Sequence, residues 1–251
     1  MATSDLLFEI GTEELPSWYV SQGSAALAEL LQQRLTAAGF IPAGVNAYGT
    51  PRRLAVIARD VPLTSPERFE ERRGPPASAA FTADGAPTKA AEAFAAGSGV
   101  AVAELEVREN DKGASYVWAQ VRRGGEEAVA VLPDLLAGLV ADLPAPRKMR
   151  WADEPVAFVR PVSWLLASLG DVPLNLTAAG VDSGDVSRGH RFLAPGPVAV
   201  GSPADYVAAL GAASVDVDIA ERRRRLREAG QELAASEGLT LYQDDDLLDE
   251  V

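Results

Sequence analysis

Residues Asp5–Gly39 read DLLFEIGTEELPSWYVSQGSAALAELLQQRLTAAG. The opening DLLFEI is an apolar run of strand length closed by Gly11, which predicts a buried strand. GTEELP then turns the chain, with Thr12 placed to cap a helix and Glu13 and Glu14 near its positive end. Over Ser17–Ala38, Leu27, Leu31 and Leu35 recur at i, i+4 and i+8, with Leu30 beside them and Gln32, Gln33 and Arg34 opposite. That spacing predicts an amphipathic helix, stopped by Gly39. A second strand, RLAVIARDV (Arg53–Val61), is entered through Thr50-Pro51-Arg52.

Working outward, Pro62–Pro87 breaks regular structure with Gly74-Pro75-Pro76 and Gly85-Ala86-Pro87. Thr88–Ala96 predicts a short helix begun by Thr88, and Ser115–Val121 a strand with Tyr116 and Trp118 on one face. Glu126–Ala141 has helical spacing, and Pro133 argues for a start at that residue. Val162–Leu169 and Val172–Val181 read as strands, Ser187–Phe192 as a polar loop, and Ser202 or Asp205 as the cap of a helix to Leu210. Val215–Ile219 is strand-like and Ala220–Ala235 helical. Strands and helices mix without a strict βαβ rhythm, so the expected class is α+β, mixed sheets with packed helices, and not a Rossmann fold. The expected organisation is an α+β region over 1–218, with 65–144 as a smaller inserted lobe if it divides in two. A helix and acidic tail follow over 219–251.

Composition narrows the function. The 251 residues are 47% hydrophobic and 24% charged, which is globular and not disordered. With no Cys and a single His, disulfides, thiol catalysis, Cys zinc sites and a two-His relay are excluded. No apolar run approaches a membrane span, and the N-terminus lacks the basic segment of a secretory signal, so a cytoplasmic protein is expected. Net charge is −13, but Glu228–Val251 carries eight acids and no base; without them the chain carries −5. Of 23 basic residues only Lys89, Lys112 and Lys148 are lysines. Arginine suits bidentate phosphate contacts, although codon bias accounts for the excess equally well.

No GxxxxGK[ST], GxGxxG or GxSxG pattern occurs, so phosphate-loop, dinucleotide and nucleophile-elbow chemistry have no support. His190, between Arg188 and Arg191, reads as a satisfied or phosphate-facing loop residue before a catalytic one. Glu9, Glu13 and Glu14 either share a metal or acid/base site or lie at a helix N-terminus, where carboxylates offset the exposed N–H groups. The basic groups recur beside turns and aromatics: Thr50-Pro51-Arg52-Arg53, Arg147-Lys148-Met149-Arg150-Trp151, Phe158-Val159-Arg160-Pro161 and Arg188-Gly189-His190-Arg191-Phe192. Such pairs hold phosphates and stack bases, or else they are ion pairs and core aromatics. The Arg222–Arg225 run spans a full helical turn and reads as a solvated helix paired with acids.

These segments resemble the beta subunit of bacterial heterotetrameric glycyl-tRNA synthetase. The resemblance rests on Ile10-Gly11-Thr12-Glu13-Glu14-Leu15-Pro16, Thr50–Val56, Arg73-Gly74-Pro75, Ala86–Ala91, Lys148-Met149-Arg150-Trp151, Phe158–Val162 and Arg188–Phe192, in order along almost the whole chain. It implies a two-subunit glycine–tRNA ligase whose alpha subunit carries the catalytic core and uses ATP and Mg. The beta subunit would supply tRNA-binding modules, with no catalytic residue, metal or cofactor of its own in this part. It also implies that this is the N-terminal part of a longer beta chain, and a fold-level likeness to B3/B4-type domains.

Residue chemistry selects Arg52, Arg53, Arg147, Lys148, Arg150, Trp151, Arg160, Arg188, His190 and Arg191 as the tRNA-binding candidates. The partners expected are the alpha subunit and the tRNA for glycine, with no membrane. Two other readings remain open here: a scaffold that contacts the alpha subunit without touching RNA, and a free-standing hydrolase built on Glu9, Glu13, Glu14 and His190.

Overall fold

The computed structural model describes residues 2–110 and 113–250. In chain order the elements are β1 (Thr3–Thr12), α1 (Ser17–Ala37), β2 (Gly44–Thr50), β3 (Arg53–Pro62), β4 (Arg68–Pro76), α2 (Ala77–Ala80), α3 (Lys89–Ser98), β5 (Glu106–Glu109), β6 (Ser115–Arg123) and α4 (Ala128–Asp142). There follow β7 (Val162–Leu169), β8 (Val172–Pro173), β9 (Thr177–Ala178), β10 (Val181–Gly184), β11 (Val186–Arg188), β12 (Pro197–Ala199), α5 (Tyr206–Ala212), α6 (Ile219–Ser236) and α7 (Asp245–Glu250). The class is α+β. The chain forms two compact units, one of residues 1–65 and 126–251, the other of residues 66–125.

The larger unit is built on a sheet of order β2-β3-β1-β7-β10-β9, with β8 paired to β7. β1 lies between antiparallel β3 and β7, and β10 runs parallel to β7. Side chains alternate across a strand, so β1 feeds two cores. Leu6, Phe8 and Ile10 pack with Leu27, Leu31 and Leu35 of α1 and Leu132, Leu136 and Leu139 of α4, all fully buried. Burying each such side chain contributes about 1.5–3 kcal/mol. Leu7 faces the other way, into a core with Ile57, Leu166, Tyr206, Leu210 and Val217. Glu9 and Gly11 share that second face by the same period of two.

The smaller unit is an antiparallel sheet of order β4-β6-β5 with α2 and α3 against one side. Ala80, Ala91 and Val117 form its core with Phe81, Phe94 and Leu105. The Thr88 side chain accepts from the Ala90 N–H at 3.2 Å and caps α3 as expected.

Several local expectations are corrected. The smaller unit ends at Gly125 and not at 144, because α4 packs its buried stripe into the core of the larger one. Pro62–Pro87 contains β4, whose ladder to β6 supplies the hydrogen bonds that local propensity does not reveal. Pro133 lies inside α4 and not at its start. The missing N–H frees the carbonyl of Val129, a residue on the exposed side of the helix. β2 escaped notice because it ends in Gly49 and Thr50 and alternates poorly. Val172–Val181 is broken into three short strands by Pro173 and Gly180. Residues 215–218 form no strand, and Thr12 ends β1 while Pro16 precedes α1 with no side-chain cap.

α6 bears out its reading as an ion-paired helix. Asp218 caps it, and Arg224 and Arg225 both reach Glu221. These hydrogen bonds, Arg224 first, hold the Glu221 carboxyl down at about 2. A depressed carboxylate stabilises the fold above its unfolded pKa of about 4.3, and this contribution is lost as pH falls through the folded value. A carboxyl NMR titration should therefore find Glu221 as a low outlier, and Arg224→Gln with Arg225→Gln should return it to the ordinary range. An ordinary midpoint in the unsubstituted chain would reject the pairing.

Candidate functional site

Two arginine-bearing turns meet at one end of the second sheet face. In the ladder, Gly11 of β1 stands between Arg53 of β3 and Trp164 of β7. One step along the strands, Glu9 stands between Ala55 and Leu166. Gly11 has no side chain, so the Trp164 indole lies across it; a Cβ there would fall 1.9 Å from ring carbons. Trp164 thereby becomes a floor at the sheet end.

Glu9 anchors that floor from beneath. It is fully buried and accepts hydrogen bonds from Trp164 Nε1, from Ser187 Oγ at 2.6 Å and from the Tyr206 hydroxyl at 2.5 Å. Arg53 is 3% exposed, with Nη1 3.9 Å from Glu9 Oε2. Nη1 also donates to Ser187 Oγ at 3.1 Å and Nη2 to the Arg188 carbonyl at 2.6 Å, while the buried Nε has no hydrogen-bond partner. Burial, and then the Glu9 charge, push the Tyr206 phenol well above its ordinary pKa, so it stays a donor. This network fixes β11 and α5 to the sheet and aims the residues above it.

Above the floor stand Arg52, Arg188 and Arg191. The guanidinium carbons of Arg188 and Arg52 lie 5.1 and 5.8 Å from the Trp164 ring centroid. Arg191 pairs with Glu14 at 3.0 Å and Glu13 at 3.9 Å. Among the described residues no carboxylate lies within ion-pairing distance of Arg52 or Arg188, and the buried Arg52 Nε has no hydrogen-bond partner. Burial, and next the Arg191 charge, lower the Arg52 pKa. Clustered guanidinium groups with open donors attract a bound oxyanion, which relieves their repulsion and fills those donors.

The 189–193 turn is held rigid. His190 Nδ1 accepts from the N–H groups of Phe192 at 3.2 Å and Leu193 at 3.1 Å, which assigns the ring proton to Nε2. Gly189 is required because a Cβ would fall 2.2 Å from the Ala194 carbonyl oxygen. The turn carries Phe192 outward, 78% exposed. Two cavities of about 410 Å³ each flank Arg52, Gly189 and Arg191. One is walled by Pro51, His190, Phe192, Val215 and Arg222, the other by Trp164, Arg188, Gly196 and Pro197.

The structure thus brings together Arg52, Arg188, His190 and Arg191 of the sequence candidates. Arg160 is adjacent, its Nε donating to the Glu14 carbonyl at 2.9 Å. Arg53 lies beneath them, bonded into the buried network through Nη1 and Nη2, with its guanidinium carbon 5.6 Å from the Trp164 ring centroid and its side chain on the wall of one cavity. Arg147 and Arg150 are exposed, Lys148 donates to the Ala141 carbonyl at 3.0 Å, and Trp151 packs against the α1 side core. Among the described residues no hydrogen bond or ion pair joins these four to the arginine cluster.

The three carboxylates also sit in different surroundings: Glu9 is buried within β1, while the strand ends at Thr12 and leaves Glu13 and Glu14 exposed beside Arg191. Among the described residues no group of three or more His, Asp or Glu is placed to hold a metal ion. Sequence reasoning missed Trp164, Glu9 as an anchor, and Arg222 on a cavity wall. Only Gly11 opposite a tryptophan carried a signal, and it needs the strand register to be read.

Comparison with known proteins adds the family. A model described as the glycyl-tRNA synthetase beta subunit matches residues 6–251. The glycine–tRNA ligase beta subunit of Moorella thermoacetica is 42% identical over 247 residues, 98% of this chain and 35% of the relative. That of Myxococcus xanthus is 39% identical over 98% of this chain and 35% of the relative, and that of Chromohalobacter salexigens 41% over 100% and 36%. The chain spans about a third of the length of these curated relatives. Among the described residues no helix is long and apolar enough to cross a membrane.

Proposed function

Because this chain belongs to the glycyl-tRNA synthetase beta subunit family, we propose that it is a tRNA-binding and assembly part of a glycine–tRNA ligase. In this reading it supports ATP-dependent attachment of glycine to tRNA by a separate alpha subunit in the cytoplasm. ATP, Mg and glycine are handled on the alpha side, and the remainder of the beta chain supplies further modules. The observation that carries the RNA half is the pair of guanidinium groups on Arg52 and Arg188, lacking carboxylate partners and held over Trp164 beside Arg191. Phosphate contacts of this kind position a nucleic acid without reading its sequence.

The assembly half rests on a different observation. Leu226, Leu233, Leu239, Leu241, Tyr242 and Leu247 are all exposed in the C-terminal segment. So many exposed large apolar side chains in one segment support a protein contact there. The eight acids of the same segment make it a poor neighbour for RNA.

The test is a titration of the chain with glycine-specific tRNA at two salt concentrations. Arg52→Ala with Arg188→Ala should weaken binding about tenfold or more and reduce the salt slope by about one to two, since each phosphate no longer neutralised lowers it by about one. A folded double variant with unchanged affinity and slope would reject the cluster as the RNA contact.

A further inference from the structure

The two cavities adjoin, because Arg52, Gly189 and Arg191 form a wall common to both. A lone oxyanion would need the arginines and neither hollow. The common wall carries two arginines, Arg52 open and Arg191 paired with Glu14, and each hollow offers an apolar or aromatic surface: Phe192 and Val215 in one, beside Glu14 and Asp216, and Trp164 and Pro197 in the other. One ligand has the inverse shape. A phosphodiester is a single negative charge between two bulky, flat-faced nucleosides.

We propose that this saddle seats an unpaired dinucleotide step of single-stranded RNA. Its phosphate lies on Arg52, beside Arg191, which stays paired with Glu14 and Glu13, and one nucleoside enters each cavity. The proposal rests on the RNA-binding reading above and specifies which form of RNA the site takes. A base paired in a duplex is stacked on its neighbours and cannot enter a hollow beside its own phosphate, so the geometry selects unpaired strand.

Each part of the saddle has a role in that selection. Phe192 stands on a turn whose N–H groups are already bound by His190 Nδ1, so a stacking base finds the ring in place and orders little chain. Such stacking is tolerant of base identity. On the other side Trp164 is already overlain by Arg188 and Arg52, so a nucleoside there packs against guanidinium planes as well as indole.

The experiment uses the whole 251-residue chain and a fluorescein-labelled eight-nucleotide RNA, offered as a single strand or as a blunt duplex with its complement. The single strand should bind at least about tenfold more tightly. Phe192→Ala removes an exposed ring without touching a core, and should weaken the single strand about five- to tenfold while leaving duplex affinity and the salt slope unchanged. Arg52→Ala should weaken both RNAs and lower the slope. Equal affinity for single strand and duplex, or a Phe192→Ala variant that binds the single strand like the parent, would overturn the dinucleotide site and leave general phosphate binding standing. Absence of salt-sensitive binding to either RNA would overturn the RNA-binding reading itself, and this one with it.

Discussion

Glu9→Ala is expected to cost about 3–5 kcal/mol, the range for breaking one side of a buried ion pair. The carboxylate is fully buried and takes hydrogen bonds from Trp164, Ser187 and Tyr206. Its removal strands the 3%-exposed Arg53 cation without a counter-charge and leaves three donors facing a gap. For a chain of this size that corresponds to a fall in Tm of roughly 10 °C, read by thermal or urea denaturation. Glu9→Gln keeps the shape and one acceptor and should recover part of the stability. Replacing both partners, Glu9→Leu with Arg53→Met, should cost clearly less than the two single changes added, since a buried pair exchanged for apolar residues is often near neutral. Strictly additive costs would show that the two residues are not coupled.

Gly11→Ala should be comparably severe for a steric reason. Its Cβ would lie 1.9 Å from ring carbons of Trp164, so the indole has to leave. Forcing a methyl group into a packed site costs about 1–3 kcal/mol. Breaking a hydrogen bond to a buried charged group adds about 1.5–3 kcal/mol. The displaced indole also takes the floor from under Arg52 and Arg188, so RNA affinity should fall together with stability. Adding Trp164→Leu relieves the clash, and should recover part of the stability but none of the RNA affinity. Near-UV circular dichroism of the tryptophans and a binding titration read the two effects separately. An unaltered Tm in Gly11→Ala would mean that the pairing of Gly11 with Trp164 is not the native register.

The elements that were legible in the sequence are those whose pattern is local. The Leu27, Leu31 and Leu35 stripe marked α1, and the apolar runs at 5–10, 53–61 and 162–169 marked the three central strands. Family likeness likewise reached the chain through short motifs. What stayed hidden depends on pairing between distant segments. Glu9 looks like a neighbour of Glu13 and Glu14, yet it is buried within β1, and the strand ends at Thr12 before the other two. Arg52 and Arg53 are adjacent in sequence, but Arg52 lies in the turn and Arg53 opens β3, where it is drawn into the buried network beneath Trp164. Arg188 and Trp164 meet Arg52 only because β3, β1 and β7 lie side by side and Ser187 is tied to Glu9. Residue types alone could nominate the arginines; the sheet register decides which of them lie together.

The 66–125 unit leaves and re-enters the larger one at adjoining points. Ser65 N–H donates to the Glu126 carbonyl at 3.0 Å, and the Glu126 N–H to Ser65 Oγ at 3.1 Å. For a folding chain this joint is a question of loop entropy. If the insert is still unstructured, joining β3 to α4 must close a loop of roughly 60 residues. The cost of closure grows as (3/2)RT ln n, so such a loop costs about 3 kcal/mol more than a two-residue turn. An insert that has already folded holds its own ends together and removes most of that penalty. The expected order is therefore inside first, with the sheet β4-β6-β5 closing before the α1 and α4 core assembles across the junction; pulsed hydrogen exchange that protects α1 and α4 before β4, β5 and β6 would reject it.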